Sequence, residues 1–134
     1  MQKLLFVVVA VLALGACAPS AHTVTPLESE EQVSPFPFAE AFAVTVNAIN
    51  SQPFPSDSGG WVITSSDQVG GFISAELNGR RYQLFSGQVS YRAFVSIALV
   101  DKGDGTTAVN LSLNTHNEAS KLVAALRARL QLDG

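Results

Sequence analysis

The sequence predicts a two-layer α+β domain: an antiparallel meander of four to five strands with an N-terminal and a C-terminal helix on one face. Three observations carry that reading. Phe38, Phe42, Thr45, Val46 and Ile49 recur at helical spacing. From Trp61 to Asn114 apolar and polar residues alternate with period two between turn signals. Ala119, Leu122, Val123, Leu126 and Leu130 form a second helical stripe. A chain of 134 residues has room for one such domain.

The first helix is prepared by Ser34-Pro35-Phe36-Pro37, since proline is tolerated in or before a first turn. Gln52-Pro53-Phe54-Pro55 stops it, because a residue preceding proline avoids the α region. Pro55 to Gly60 then reads as a loop. In the first strand Trp61, Ile63 and Ser65 share a face, and Asp67 to Gly70 is a turn. The second strand, Gly71 to Leu77, places Ile73, Ala75 and Leu77 together. Asn78-Gly79 is a strong type I′ hairpin signal, so the chain is expected to return through Arg81 to Phe85. A long strand from Val89 to Val100 alternates Tyr91, Ala93, Val95, Ile97 and Leu99 against Arg92, Phe94, Ser96, Ala98 and Val100. Asp101 to Gly105 is another turn, and Thr106 to Asn114 closes the sheet with Val109, Leu111 and Leu113 inward. Thr115 and Glu118 have capping-box spacing for the last helix. Its cations Lys121, Arg127 and Arg129 point outward and sit toward the C-terminal end, where the helix dipole favours them.

Ahead of this domain stand a short basic start, Met1-Gln2-Lys3, and the apolar run Leu4 to Leu14. The run is too short to span a bilayer core, which needs about 20 residues, and fits a signal-peptide h-region. Leu14-Gly15-Ala16-Cys17 follows and resembles the lipobox of bacterial lipoproteins. In that resemblance Leu14, Gly15 and Ala16 are the signal-peptidase recognition residues, small enough before the cut to enter a peptidase extended. Cys17 is the lipidation site. The resemblance implies diacylglycerol on the sulfur and a further acyl chain, such as palmitate, on the new N-terminus, with no other cofactor. One chain binds a membrane marginally, whereas two or three hold it stably. Ala18 rather than Asp follows the cysteine, resembling the pattern of lipoproteins sent to the outer membrane of Gram-negative cells. The expected location is thus the cell envelope, at the outer membrane facing the periplasm.

The expected divisions are residues 1–16 as signal peptide, 17–34 as lipidated cysteine and tether, and 35–134 as the domain. The tether is poor in bulky apolar residues and carries two prolines and three acids before Ser34, so it cannot order itself. As a coil it reaches roughly 20–25 Å.

Cleavage would remove Lys3 and no acid, leaving 11 acidic against 7 basic side chains, a net −4. That balance gives no footprint for nucleic acid, which requires a clustered basic face. All seven bases of the mature chain lie after Leu77. Cys17 is the sole cysteine, which excludes an internal disulfide and any multi-cysteine metal site.

Trp61-Val62-Ile63-Thr64-Ser65-Ser66-Asp67 and Gly71-Phe72-Ile73-Ser74-Ala75-Glu76, after an amphipathic helix, are similar to small α+β domains of envelope lipoproteins. Those of the C lipoprotein of the outer-membrane barrel assembly machine are an example. The resemblance covers about half of the mature chain. It implies the fold and an envelope partner, and carries over no functional residue.

Catalytic constellations are missing from the sequence. There is no Gly-x-Ser-x-Gly elbow and no phosphate-cradling loop between strand and helix. His116 reads as a capping-region histidine. Asp101 to Gly105 lacks the ligands of a calcium loop and no metal is expected. Phe72 and Phe94 have the opposite parity from the apolar sides of their strands. With Arg80, Arg81 and Arg92 they form a candidate partner surface, since aromatics and arginine dominate interface hot spots. The expected function is non-catalytic: a membrane-anchored adaptor or assembly accessory binding another envelope component. The alternative is a small carrier or sensor holding an apolar or anionic ligand between sheet and helices. A cavity lined by Phe38, Phe42 and Trp61 would favour the carrier.

Overall fold

The computed structural model describes residues 31–132. Its elements are β1 (Gln32–Ser34), α1 (Phe38–Ser51), β2 (Ser58–Asp67), β3 (Phe72–Gln83), β4 (Gly87–Asp101), β5 (Thr107–Leu113) and α2 (Asn117–Arg129). The five strands form one antiparallel sheet in the order β1-β5-β4-β3-β2, with both helices on one face. This is the expected two-layer α+β architecture.

The apolar periodicities become the core. Ile73, Ala75 and Leu77 of β3 and Ala93, Val95, Ile97 and Leu99 of β4 are fully buried. From above, α1 contributes Ala41, Phe42, Ala48 and Ile49, and α2 contributes Ala119, Leu122, Val123 and Leu126. Leu111 and Leu113 of β5 are half-buried against that core. Pro37 sits at the α1 N-cap, and Gln52 leaves the helix with extended dihedrals of φ −66° and ψ 128°, as the following proline demands.

Three expectations are corrected. The first described element is a strand rather than the helix, and it occupies the end of the stretch expected as tether. Gln32, Val33 and Ser34 pair with Val109, Ala108 and Thr107. Long-range hydrogen bonds hold this short strand. Buried Ser34 donates from Oγ to the Leu130 carbonyl at 2.7 Å, and Thr107 Oγ1 donates to the Phe36 carbonyl at 2.8 Å.

Asn78-Gly79 is not a turn. The chain runs straight through it in β3, and the expected return strand Arg81 to Phe85 is β3's own continuation and the turn beyond. The reversal falls at Gln83 to Gly87, where the Ser86 amide donates to the Gln83 carbonyl and Gly87 adopts a φ of +70°. Gly79 serves packing instead. It lies opposite Tyr91, and a Cβ there would collide with the Tyr91 ring.

The capping box also fails to form. His116 is the N-cap of α2, its Nδ1 accepting the Glu118 amide at 3.1 Å, while Glu118 pairs with Lys121 at 3.0 Å. The imidazole replaces the hydroxyl as acceptor because its ring is already held by stacking on Tyr91, with centroids 4.9 Å apart.

The other turns follow the sequence. Asp67 Oδ1 accepts the amides of Val69 and Gly70, and Asp101 Oδ1 accepts that of Gly103. Asp104 accepts the Thr106 hydroxyl and amide, and these bonds hold its carboxyl below its ordinary value. Carboxylates engaged by their own loop are turn residues, not free cation ligands.

Candidate binding surface

Strand alternation places β3 residues 72, 74, 76, 78 and 80 and β4 residues 92, 94, 96, 98 and 100 on the sheet face opposite the helices. The registers arrange that face in rows. Val62, Glu76 and Phe94 form one row across β2, β3 and β4. Ser74, Ser96 and Ser112 form the next, with the Thr64 and Ser74 hydroxyls 2.9 Å apart. Phe72, Ala98 and Asn110 follow, then Val100 and Ala108. A band of small hydroxyl side chains thus separates Phe72 from Phe94 by about 13 Å along the strands.

No helix covers this face, and three of its apolar side chains stay open: Phe72 is 41% exposed, Val62 57% and Val100 61%, while Ala108 is buried. Phe94 is half-buried, with the Arg92 guanidinium 5.5 Å from its ring centroid. Arg92 also bonds Glu76 through Nη2. The pair fixes the cation over the aromatic ring, a flat and polarisable arrangement suited to a partner.

The structure divides the expected surface. Phe72, Arg92 and Phe94 share the open face. Arg80 shares its parity but lies four residues past Glu76, at the base of the hairpin β3–β4. Arg81 turns to the helix side, where its guanidinium lies 5.2 Å from the Tyr91 ring centroid and 3.9 Å from Asp57. Cys17, Leu14, Gly15 and Ala16 lie outside the described residues.

Sequence reasoning missed a second cluster. Tyr91 donates its phenolic hydrogen to Asp57, stacks on His116 and carries Arg81 over its ring. This joins the start of α2 to the hairpin and to the loop before β2. Tyr91 was legible as an inward residue, but reading Asn78-Gly79 as a turn removed the strand it faces. Beside the cluster, Arg81, Arg92, Asn114, His116 and Lys121 line an open cleft of about 550 Å³. Its three cations are already paired, with Asp57, Glu76 and Glu118 respectively.

Removal from water, then the hydrogen bond to Asp57 and its charge, raise the Tyr91 phenol above its ordinary value of 10.0. A group with a raised folded pKa contributes stability that is full below its unfolded value and lost as pH climbs through the folded one. In a Tyr82→Phe chain Tyr91 is the remaining tyrosine. Its tyrosinate absorbance should appear at higher pH in the folded protein than in the denatured one. Coincident titrations would contradict the arrangement.

Phe42 and Trp61 are packed in the core and Phe38 lies against it. The Trp61 indole nitrogen and the Asn110 Oδ1 are buried without a hydrogen-bond partner. Among the described residues no group of three or more His, Cys, Asp or Glu is placed to hold a metal, and no helix is long and apolar enough to cross a membrane.

No known protein family and no curated protein matches the sequence. Among solved structures, TTHA0849 from Thermus thermophilus is similar over 77% of this chain and 95% of its own. Its identity is 11% and its TM-score 0.35. The Zhui aromatase/cyclase from Streptomyces sp. R1128 is similar over 77% of this chain and 84% of its own, at 8% identity and a TM-score of 0.31. Likenesses this remote carry no argument about activity.

Proposed function

We propose that the chain is a bacterial envelope lipoprotein, held to the membrane by acyl chains on Cys17, whose domain is a non-catalytic adaptor. In this reading the uncovered sheet face docks another envelope component. The observation that carries it is the open face itself: Phe72, Val62 and Val100 in water, with Arg92 held over Phe94 between them and the hairpin. Isolated apolar residues on a surface need no explanation, but an aromatic–arginine group on a flat sheet face has the composition of an interface centre.

Capture of the tagged protein from cross-linked, gently solubilised membranes should bring down a stoichiometric envelope protein. Phe72→Ser and Arg92→Glu change exposed side chains and should leave the fold intact. Each should lose the partner while keeping the thermal transition. Undiminished capture by both folded variants would refute the docking face.

The alternative, a carrier of an anionic ligand, draws support from the cleft of Arg81, Arg92, His116 and Lys121. Three of those groups already have carboxylate partners. An incoming anion would have to displace them, so the adaptor reading is preferred.

A further inference from the structure

Beyond Gly79 and Tyr91 the sheet narrows to two strands. β2 pairs no further than Ser58 with Gly79, and β5 no further than Leu113 with Val95. Arg80–Gln83 and Gly87–Ser90 continue alone as a ribbon about 13 Å long. Its tip is apolar and open to water: Tyr82 is 73% exposed, Leu84 78% and Phe85 96%. From Leu77 to Val100 there is no acidic residue, and Arg80, Arg81 and Arg92 follow behind the tip. Asp57, at the base, offsets Arg81 and Glu76 pairs with Arg92, so the net cation behind the tip is Arg80.

The opposite end of the sheet has the reverse character. Its two turns carry Asp67, Asp101 and Asp104 against Lys102. The domain is therefore polarised along its strands, apolar and cationic at the ribbon and acidic at the far end.

Strand direction adds a further fact. β1 runs antiparallel to β5 and so in the same sense as β4, which starts at the ribbon. Gln32, where β1 begins, is therefore the end of that strand that faces the ribbon. Gln32 is level with Val109 and Leu99, twelve residues along β4 from Gly87, or about 40 Å. The 14 residues between Cys17 and Gln32 span at most about 50 Å when fully extended. The expected lipid on Cys17 and the ribbon tip can thus meet one membrane plane.

We infer that the β3–β4 ribbon inserts its tip, Leu84 and Phe85, into an anionic lipid surface, with Tyr82 at headgroup depth and Arg80 against the phosphates. A convex apolar tip backed by an arginine and a tyrosine fits the chemistry of a bilayer interface. The orientation sets the acidic end away from the membrane and leaves the open sheet face accessible from the side. The inference extends the anchored-adaptor reading, but its test is separate.

The test uses the full chain with Phe85→Cys carrying a nitroxide, and Ala124→Cys on the exposed side of α2 as reference. Intact mass reads the acyl chains on Cys17 directly, so failure of the anchor is seen independently. In either case the protein is mixed with phosphatidylcholine vesicles, with or without phosphatidylglycerol. The expected result is a label at 85 shielded from an aqueous relaxation agent and accessible to oxygen in the anionic vesicles, with the label at 124 remaining in water. Arg80→Glu and Leu84→Ser should each restore water access at 85. A label at 85 as wet as that at 124 would overturn the inference. So would shielding indifferent to both variants, or shielding that arises only when membrane protein extract is added, which would make the occupant a protein.

Discussion

Under the proposed anchor, replacing Cys17 with alanine should leave a protein that takes up no fatty acid and either keeps the expected 16-residue leader or is released from membranes. Cys17 is the sole cysteine, so no other thiol can accept the diacylglycerol. The effect should be complete rather than graded, because each buried methylene of an acyl chain contributes about 0.8 kcal/mol to membrane binding. Two or three such chains outweigh the hold that the ribbon tip alone supplies in their place. Metabolic labelling with a fatty acid, followed by fractionation, checks it. Normal labelling of the Cys17→Ala protein would remove the anchor from the account.

Ile97→Ala should destabilise the domain by about 3 kcal/mol, a large share of the roughly 5–15 kcal/mol that holds a domain of this size together. Ile97 is fully buried in β4, the central strand, between Ile73 of β3 and Leu111 of β5 and beneath the helices. Truncation there leaves a void that neighbouring strands cannot close, since both are fixed by their ladders. Ile97→Val removes one methylene and should cost about 1 kcal/mol. Denaturant unfolding of the three proteins measures both differences. Equal midpoints for Ile97→Ala and the parent would mean that the sheet does not carry the core.

Much of the fold was legible because long periodic segments bury one face. The stripe from Ala119 to Leu130 and the alternation from Tyr91 to Leu99 are repeated many times, so single exceptions do not blur them. β1 was not legible: three residues are too few for a period, and they are held by hydrogen bonds from Ser34 to Leu130 and from Thr107 to Phe36 that span the chain. Asn78-Gly79 misled because a local turn preference was outweighed by tertiary packing, the Tyr91 ring requiring a residue without a side chain opposite it. That error propagated. With β3 continuous, Arg80 and Arg81 alternate faces, which divides the expected surface and creates the ribbon.

The open face itself was legible from parity alone, since Phe72 and Phe94 broke step with the apolar residues of their strands. The cluster of Asp57, Tyr91, Arg81 and His116 was not, because it joins a loop, two strands and a helix cap that no sequence spacing relates.

The central claim, that the sheet face opposite the helices docks an envelope component, is tested most directly by site-specific photo-crosslinking in intact cells. A photoreactive side chain at position 94 or 72 should yield one discrete adduct with an envelope protein, and the same group at position 124, on the exposed side of α2, should yield none. No adduct from either sheet position, or the same adducts from position 124, would contradict the claim.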